Sequence, residues 1–175
     1  LLVPKGRTIL AADKQGPDGK SKLGRVVRGT MEFGAGPALE QAVTNPSEFQ
    51  GFWDTFGEAL LKGDTVADVG ANVIDSIASW ASVGGVAATF AGQIACDLVV
   101  PIVASPQSVA DAVSVVKMFA KGDVLPLRSV TIVENHWQGD FRGMEGNEDY
   151  KALRNFAASA PEGMAQVIVM PKCLG

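Results

Sequence analysis

Short apolar runs recur along the chain and alternate with longer segments whose apolar positions follow a helical period. The runs predict strands at residues 8–12, 65–69, 98–103, 129–133 and 165–170. Near-continuous apolar runs are typical of parallel strands that are covered on both faces. Apolar residues at i, i+3 and i+4 predict helices at residues 48–62, 72–80, 86–94, 106–121 and 148–160. This alternation predicts an α/β fold with a mostly parallel sheet and helices on both faces.

Cap residues mark where several of these helices begin. We expect Ser47, Ser105 and Asn147 to accept hydrogen bonds from the first backbone N–H groups of the helices that follow. Pro106 fits a first helical turn, because the N–H that it lacks would have no partner there. The aromatic side chains of the helix at 48–62 share one face and are expected in the core: Phe49, Phe52, Trp53 and Phe56.

The chain of 175 residues is long enough to bury a substantial core, and we expect a single domain over residues 1–175. The segment after the first helix is irregular. A βαβ unit should bring the chain to a second apolar strand, yet residues 31–37 have the glycine-rich composition of a loop. One explanation is that a mobile segment is missing from the sequence between about residues 24 and 37.

The composition narrows the class of protein. Apolar residues make up 47% of the chain and charged residues 19%, which favours a globular fold over a disordered one. The net charge of −4 argues against a broad electrostatic surface for nucleic acid. The two cysteines, Cys96 and Cys173, lie far apart in apolar contexts and are expected to be buried thiols. No apolar run approaches the roughly 20 residues of a membrane span, and we expect a cytoplasmic protein.

A glycine-bearing loop at residues 13–21 connects the first strand to the helix after it, and it ends in the Gly-Lys-Ser triplet of a Walker A motif. Gly16 and Gly19 leave room for backbone N–H groups to surround phosphate oxygens. Lys20 brings a positive charge to the phosphates, and Ser21 offers a hydroxyl to Mg²⁺. The positive end of the helix dipole attracts the same anion. The sequence therefore predicts a phosphate-binding loop.

Two further polar residues lie where predicted strands end, at Asp68 and at Asn135. Ligands of parallel α/β sheets bind at the carboxyl ends of the strands, so both residues are candidates for the same site. An acid near a phosphate loop can hold Mg²⁺ through water. Alternatively, Asp68 only caps the helix that begins near Asn72, and Asn135 is an ordinary turn residue.

Four segments together resemble the ParA/MinD-type P-loop ATPases, which carry a deviant Walker A loop. They are the loop at 13–21, Asp-Val-Gly-Ala-Asn at 68–72, Pro-Ile-Val-Ala-Ser-Pro-Gln-Ser at 101–108 and Val-Glu-Asn at 133–135. Within that superfamily, the chain is most similar to the ParA-like proteins of plasmid partition and conjugal transfer. The resemblance implies a P-loop NTPase three-layer sandwich that binds ATP with Mg²⁺. It also implies a nucleotide-dependent homodimer that positions cargo, such as a partner protein or DNA.

The same resemblance assigns roles to individual residues. It makes Lys20 the Walker lysine, Ser21 a Mg²⁺ ligand and Asp68 the switch acid on the water shell of the metal. It implies that Asn135 reads the adenine edge and that Pro171 forms a wall of the base pocket.

The loop departs from the family pattern in ways that leave alternatives open. In the family, a signature lysine of the loop reaches the phosphates of a dimer partner. Gln15 occupies that position here, and Lys14 takes the role of the signature lysine if the loop carries a one-residue insertion. Pro17 removes one N–H donor, and Asp18 repels phosphate unless it points away or meets a cation. The alternatives are a non-hydrolysing nucleotide-binding or scaffold protein with a degraded loop, and a small-metabolite enzyme on the same scaffold.

Overall fold

The computed structural model describes residues 6–172 and divides into two compact units, one up to Ile94 and one from Ala95 onward. Each unit carries a three-stranded sheet in which every strand pairing is parallel. The predicted α/β class with parallel strands is therefore confirmed for residues 6–172. The single domain, and the segment missing between about residues 24 and 37, stay predictions.

The first unit is built around β1, the middle strand of the order β2-β1-β3. Its elements are β1 (Thr8–Ala12), α1 (Lys22–Val26), β2 (Met31–Glu32), α2 (Gln41–Thr44), α3 (Pro46–Leu61), β3 (Thr65–Val69), α4 (Ile74–Val83) and α5 (Val86–Phe90). A 3-10 turn, Ala71–Val73, precedes α4. The register pairs Ala11 of β1 with Glu32 on one side and Asp68 on the other. This pairing brings the carboxyl ends of the strands to one edge of the sheet.

Aromatic side chains fill the core of the first unit, as predicted for α3. Trp53 is fully buried, and its ring meets that of Phe56 edge-on with centroids 5.7 Å apart. Gly57 allows a close approach to the buried ring of Trp80, since a Cβ at position 57 would lie 2.8 Å from that ring. The Trp80 indole N–H donates a hydrogen bond to Asp54 at 2.8 Å. Of the predicted aromatic set, Phe52 is only half-buried.

The start of α3 and the second strand differ from the sequence-based expectation. The helix expected from residue 48 begins at Pro46 and has Asn45 at its N-cap position, so the prediction of Ser47 as the cap was wrong. Proline is favourable at the first helical position because its missing N–H would have no partner there. The second strand exists, although it has only two residues, and its backbone pairs with Leu10 and Ala11 of β1. A strand this short leaves no apolar run for a sequence pattern to detect.

The second unit has the strand order β4-β5-β6. Its elements are β4 (Cys96–Ile102), α6 (Pro106–Phe119), β5 (Leu127–Asn135), α7 (Glu148–Ser159) and β6 (Ala165–Met170), with 3-10 turns at His136–Gln138 and Phe141–Met144. The predicted caps are confirmed here. Ser105 accepts a hydrogen bond from the N–H of Ser108 at 3.3 Å, and Asn147 accepts one from the N–H of Tyr150 at 2.9 Å.

The core of the second unit joins the sheet to residues of α6, the second 3-10 turn and α7. Its buried members include Val100, Ile102, Val109, Val116, Ile132, Phe141 and Leu153. Cys96 is a half-buried free thiol whose pKa is raised chiefly by burial, and Cys173 lies outside the described residues. Within residues 6–172, no helix combines the length and the apolar character needed to cross a membrane.

Candidate functional site

The loop after β1 folds into a turn that is tied to its own backbone. The N–H of Gly19 donates to the carbonyl of Gly16 at 3.0 Å, and the N–H of Gly16 donates to the carbonyl of Lys20 at 3.0 Å. Pro17 lies at the second position of this turn, where its fixed φ is favourable. Gly19 has φ +70°, a conformation that glycine adopts without steric cost. The N–H groups of both predicted phosphate-binding glycines are therefore used within the loop.

Ser21 caps α1 and is fully buried. Its hydroxyl accepts a hydrogen bond from the N–H of Gly24 at 3.0 Å and donates one to Glu32 Oε1 at 3.2 Å. Its backbone N–H donates to Glu32 Oε2 at 3.0 Å. Glu32 reaches this point because β2 pairs with β1. The donors at the end of the loop therefore bind the Glu32 carboxylate, an anionic group of the chain itself.

Asp18 is paired with a cation, Arg25, which offsets the repulsion that its carboxylate would exert on phosphate. Arg25 donates from Nε to Asp18 Oδ2 at 3.2 Å and from Nη2 to Asp18 Oδ1 at 2.9 Å. These side-chain hydrogen bonds are the largest cause that lowers the pKa of Asp18. The backbone N–H of Lys20 also donates to Asp18 Oδ1 at 3.3 Å. Asp18 is therefore ionised and shares its charge with Arg25.

Asp68 has an acidic neighbour at the same edge of the sheet. Burial and repulsion by the Asp13 carboxylate raise the pKa of Asp68, while the charge of Lys22 opposes this effect. Gly70 leaves room for Asp13, because a Cβ there would collide with Asp13 Oδ1. Asp68 lies within β3, and the cap positions of the next turn and helix belong to Gly70 and Val73, so Asp68 is not a helix cap.

The two candidate lysines of the loop are exposed. Neither the Lys14 nor the Lys20 ammonium group forms an ion pair with any residue in the range 6–172. The backbone N–H of Lys14 donates to Asp13 Oδ1 at 2.7 Å, which fixes the start of the loop but leaves the side chain in solvent. Both ammonium groups are therefore accessible to an anion.

Asn135 and Pro171 belong to the second unit. Asn135 ends β5, and its side-chain oxygen accepts a hydrogen bond from the N–H of Trp137 at 3.0 Å. Pro171 directly follows Met170, the register partner of Asn135 on β6. A cavity of about 380 Å³ beside this edge is lined by Pro171 and by residues 136–140, among them the exposed Trp137. Asn135 therefore acts as a turn residue, next to a cavity that Pro171 helps to form.

The first unit offers groups that fit a phosphate with Mg²⁺. The N–H groups of Lys20 and Ser21 donate to carboxylate oxygens, and phosphate presents acceptors of the same anionic kind. Mg²⁺ in nucleotide sites takes one or two carboxylates together with phosphate oxygens, and Asp13 with Asp68 supplies such carboxylates. Residues 6–172 contain no group of three or more His, Cys, Asp or Glu side chains suited to a metal. A metal here would therefore need water or phosphate oxygens to complete its ligands.

Sequence patterns missed three residues of this arrangement. Asp13 carries the same signal that marked Asp68, an acid at the end of an apolar strand, and could have been found. Arg25 and Glu32 carry no local signal, because each acts on the loop through a contact 7 or 11 residues away in sequence.

Comparison with protein-family models, with curated proteins and with solved structures finds no match to this chain. The ParA/MinD resemblance, and the functions that it implies, therefore remain predictions.

Proposed function

We propose that the first unit binds the phosphates of ATP with Mg²⁺ through the loop at 13–21, as part of a ParA/MinD-like switch ATPase with a P-loop NTPase fold. The observation that carries the proposal is the pair of hydrogen bonds from Ser21 to the Glu32 carboxylate. A backbone N–H and a hydroxyl that converge on one carboxylate are the kinds of donor that bind a phosphate group. These donors lie at the end of the loop that connects a buried strand to a helix, where phosphate-binding loops occur.

In this proposal each residue has a distinct task. The Lys20 ammonium contacts the phosphates, and Ser21 exchanges its bond to Glu32 for a bond to phosphate or metal. Asp68 and Asp13 hold the water shell of the metal, since two carboxylates that repel each other are stabilised by a cation between them. Mg²⁺ supplies charge neutralisation at the phosphates.

The proposal extends to assembly. ATP favours a homodimer in which the exposed Lys14 reaches the partner's phosphates, and hydrolysis returns the monomer. Such a switch positions a partner protein or DNA as cargo. It acts in the cytoplasm, where ATP is supplied.

Ligand-induced thermal stabilisation tests nucleotide binding. ATP or ADP with Mg²⁺ at about 100 times its dissociation constant should stabilise the folded protein by about 2.7 kcal/mol and raise the melting temperature. Lys20→Ala should abolish this rise, whereas Lys62→Ala, an exposed lysine at the end of α3, should keep it. If neither nucleotide raises the melting temperature of the wild type, the proposal is wrong.

A second candidate function is a binding module that does not hydrolyse ATP. The observation that favours it is the closed turn, in which the N–H groups of Gly16 and Gly19 are used within the loop and Pro17 has none to offer. Fewer free donors leave less stabilisation for the charge that develops on the transferred phosphoryl group.

Phosphate release distinguishes the two candidates. A switch ATPase releases phosphate at a rate that falls in Asp68→Ala while ADP binding persists. The binding module shows the melting-temperature rise with nucleotide but no release above that of the Lys20→Ala variant. Release that depends on Asp68 would exclude the binding module.

A further inference from the structure

A cavity of about 630 Å³ in the second unit is not used by the proposed function. It lies beside the end of β5, because His136 in its wall directly follows that strand. The other walls come from the second 3-10 turn and from one face of α7, and include Arg142, Glu145, Tyr150, Lys151, Arg154 and Asn155. Its volume lies within the range of small-molecule sites, and the carboxyl ends of parallel strands are where such sites occur.

The guanidinium of Arg154 is held in place at this cavity. Its Nη1 donates to Glu134 Oε1 at 3.0 Å, and the Tyr150 hydroxyl donates to the same oxygen at 2.7 Å. The guanidinium also lies 5.9 Å from the centroid of the Tyr150 ring. Glu134 is only 3% exposed, whereas the Arg154 side chain is 53% exposed. One edge of Arg154 is therefore anchored to a buried carboxylate, while its other donors are accessible.

Each cation of the cavity wall is already paired with a carboxylate of the chain: Arg142 with Asp140, Lys151 with Glu148 and Arg154 with Glu134. Lys151 and Arg154 each use a single N–H in these pairs, and their remaining donors are available to an oxyanion. Asp140 already accepts hydrogen bonds from Arg142, which are the largest cause that lowers its pKa to about 2. A cation that is fixed before binding loses little side-chain entropy when it binds an oxyanion.

His136 contributes an unpaired polar atom to the wall of the cavity. Its Nε2 atom is buried without a hydrogen-bond partner among residues 6–172. The nearest carboxylate oxygen, Glu134 Oε2, lies 3.8 Å away, beyond hydrogen-bond distance. Buried polar atoms in native proteins are nearly always paired, so this atom is a polar group of the cavity wall that the protein itself does not satisfy.

We propose that this cavity binds a small molecule through an oxyanion, a phosphate or carboxylate group that accepts hydrogen bonds from Arg154, Lys151 and the Asn155 amide. Arg154 provides the planar pair of donors that such groups prefer. Glu134 and Tyr150 are positioning residues, which hold that guanidinium.

Titration of the full chain with inorganic phosphate, and separately with succinate, tests the site. Both are run in the Lys20→Ala background, so that the loop at 13–21 does not contribute, and against chloride at equal ionic strength. Amide and Arg Nε–H chemical shifts should change saturably at residues of the second 3-10 turn and α7. Saturation below about 10 mM marks a site of millimolar affinity or better. The stronger of the two anions identifies the ligand as a phosphate or as a carboxylate.

Two variants localise the binding. Lys151→Gln and Arg154→Lys should each weaken it about tenfold, because each loses a charge-assisted or bidentate hydrogen bond. Arg154→Lys keeps a cation beside the buried Glu134, and Lys151 is exposed, so both variants should fold. Lys117→Gln, an exposed lysine of α6 outside the cavity wall, should bind like the parent. Failure of both anions to saturate, or equal affinity in all variants, would overturn the proposal.

Discussion

Tyr150 is the only tyrosine of the chain, so its ionisation can be followed without interference from a second phenol. The residue is 8% exposed, and its hydroxyl donates to Glu134 Oε1 at 2.7 Å. Burial, this hydrogen bond and the charge of Glu134 together raise the pKa of Tyr150 to about 12, while Arg154 opposes the shift. Alkaline pH therefore perturbs the network that anchors Arg154.

The difference in pKa between the folded and unfolded states gives the size of the effect. In the unfolded chain Tyr150 has its ordinary pKa of about 10, so between about pH 10 and 12 the folded state keeps a proton that the unfolded state has released. A difference of about 2 in pKa corresponds to about 2.7 kcal/mol in the free energy of unfolding. Because the folded-state pKa is the higher one, this stabilisation is complete below about pH 10 and is lost as the pH rises toward 12.

Two measurements check this reasoning. The ultraviolet absorbance of the phenolate should show a midpoint near pH 12 while circular dichroism still reports folded protein. Denaturant unfolding of the wild type and of Tyr150→Phe gives the second measurement. At about pH 9 the wild type should be more stable by about 1.5–3 kcal/mol, the value of a hydrogen bond to a charged group. That advantage should shrink by up to about 2.7 kcal/mol near pH 12.

A phenolate midpoint near pH 10 in folded protein would refute the contact between Tyr150 and Glu134. Glu134→Gln is the matched control, because it keeps the ring buried but removes the carboxylate charge. Its midpoint should fall below that of the wild type. Equal midpoints in the two proteins would mean that burial alone raises the pKa of Tyr150.

Two further predictions concern the first unit. Glu32→Gln removes a negative charge that competes with phosphate for Ser21, so ADP affinity measured by calorimetry should rise about tenfold, or about 1.4 kcal/mol. Glu58→Gln replaces an exposed acid of α3 and should leave ADP affinity unchanged. Equal affinity in both variants would show that Glu32 does not compete with phosphate. Gly57→Ala should destabilise the protein by about 1–3 kcal/mol through contact with the Trp80 ring. Gly51→Ala lies on the same helix with open space around it and should stabilise the protein by up to about 1 kcal/mol in denaturant unfolding. A gain in stability from both substitutions would contradict the packing shown for Gly57.

Local patterns predicted most of the elements. The strands Thr8–Ala12, Thr65–Val69 and Ala165–Met170 occupy the expected residues, and α6 begins at Pro106 after its predicted cap. These features depend on interactions between residues that are close in sequence, such as a cap and its first N–H, or on an uninterrupted apolar run. The two-residue strand Met31–Glu32 has no such run, so only its pairing with β1 reveals it.

In the candidate sites, too, some features follow from the sequence alone and others only from the tertiary structure. The sequence alone determined that Lys20 and Ser21 stand between a strand and a helix, and that Asp68 and Asn135 lie at strand ends. Only the tertiary structure decided that Glu32 contacts Ser21 and that Arg25 neutralises Asp18. The same holds for the hydrogen-bonded network of Glu134, Tyr150 and Arg154. The physical reason is that strand register and helix packing bring these groups together across 7 to 20 residues of chain, and no local pattern encodes such contacts.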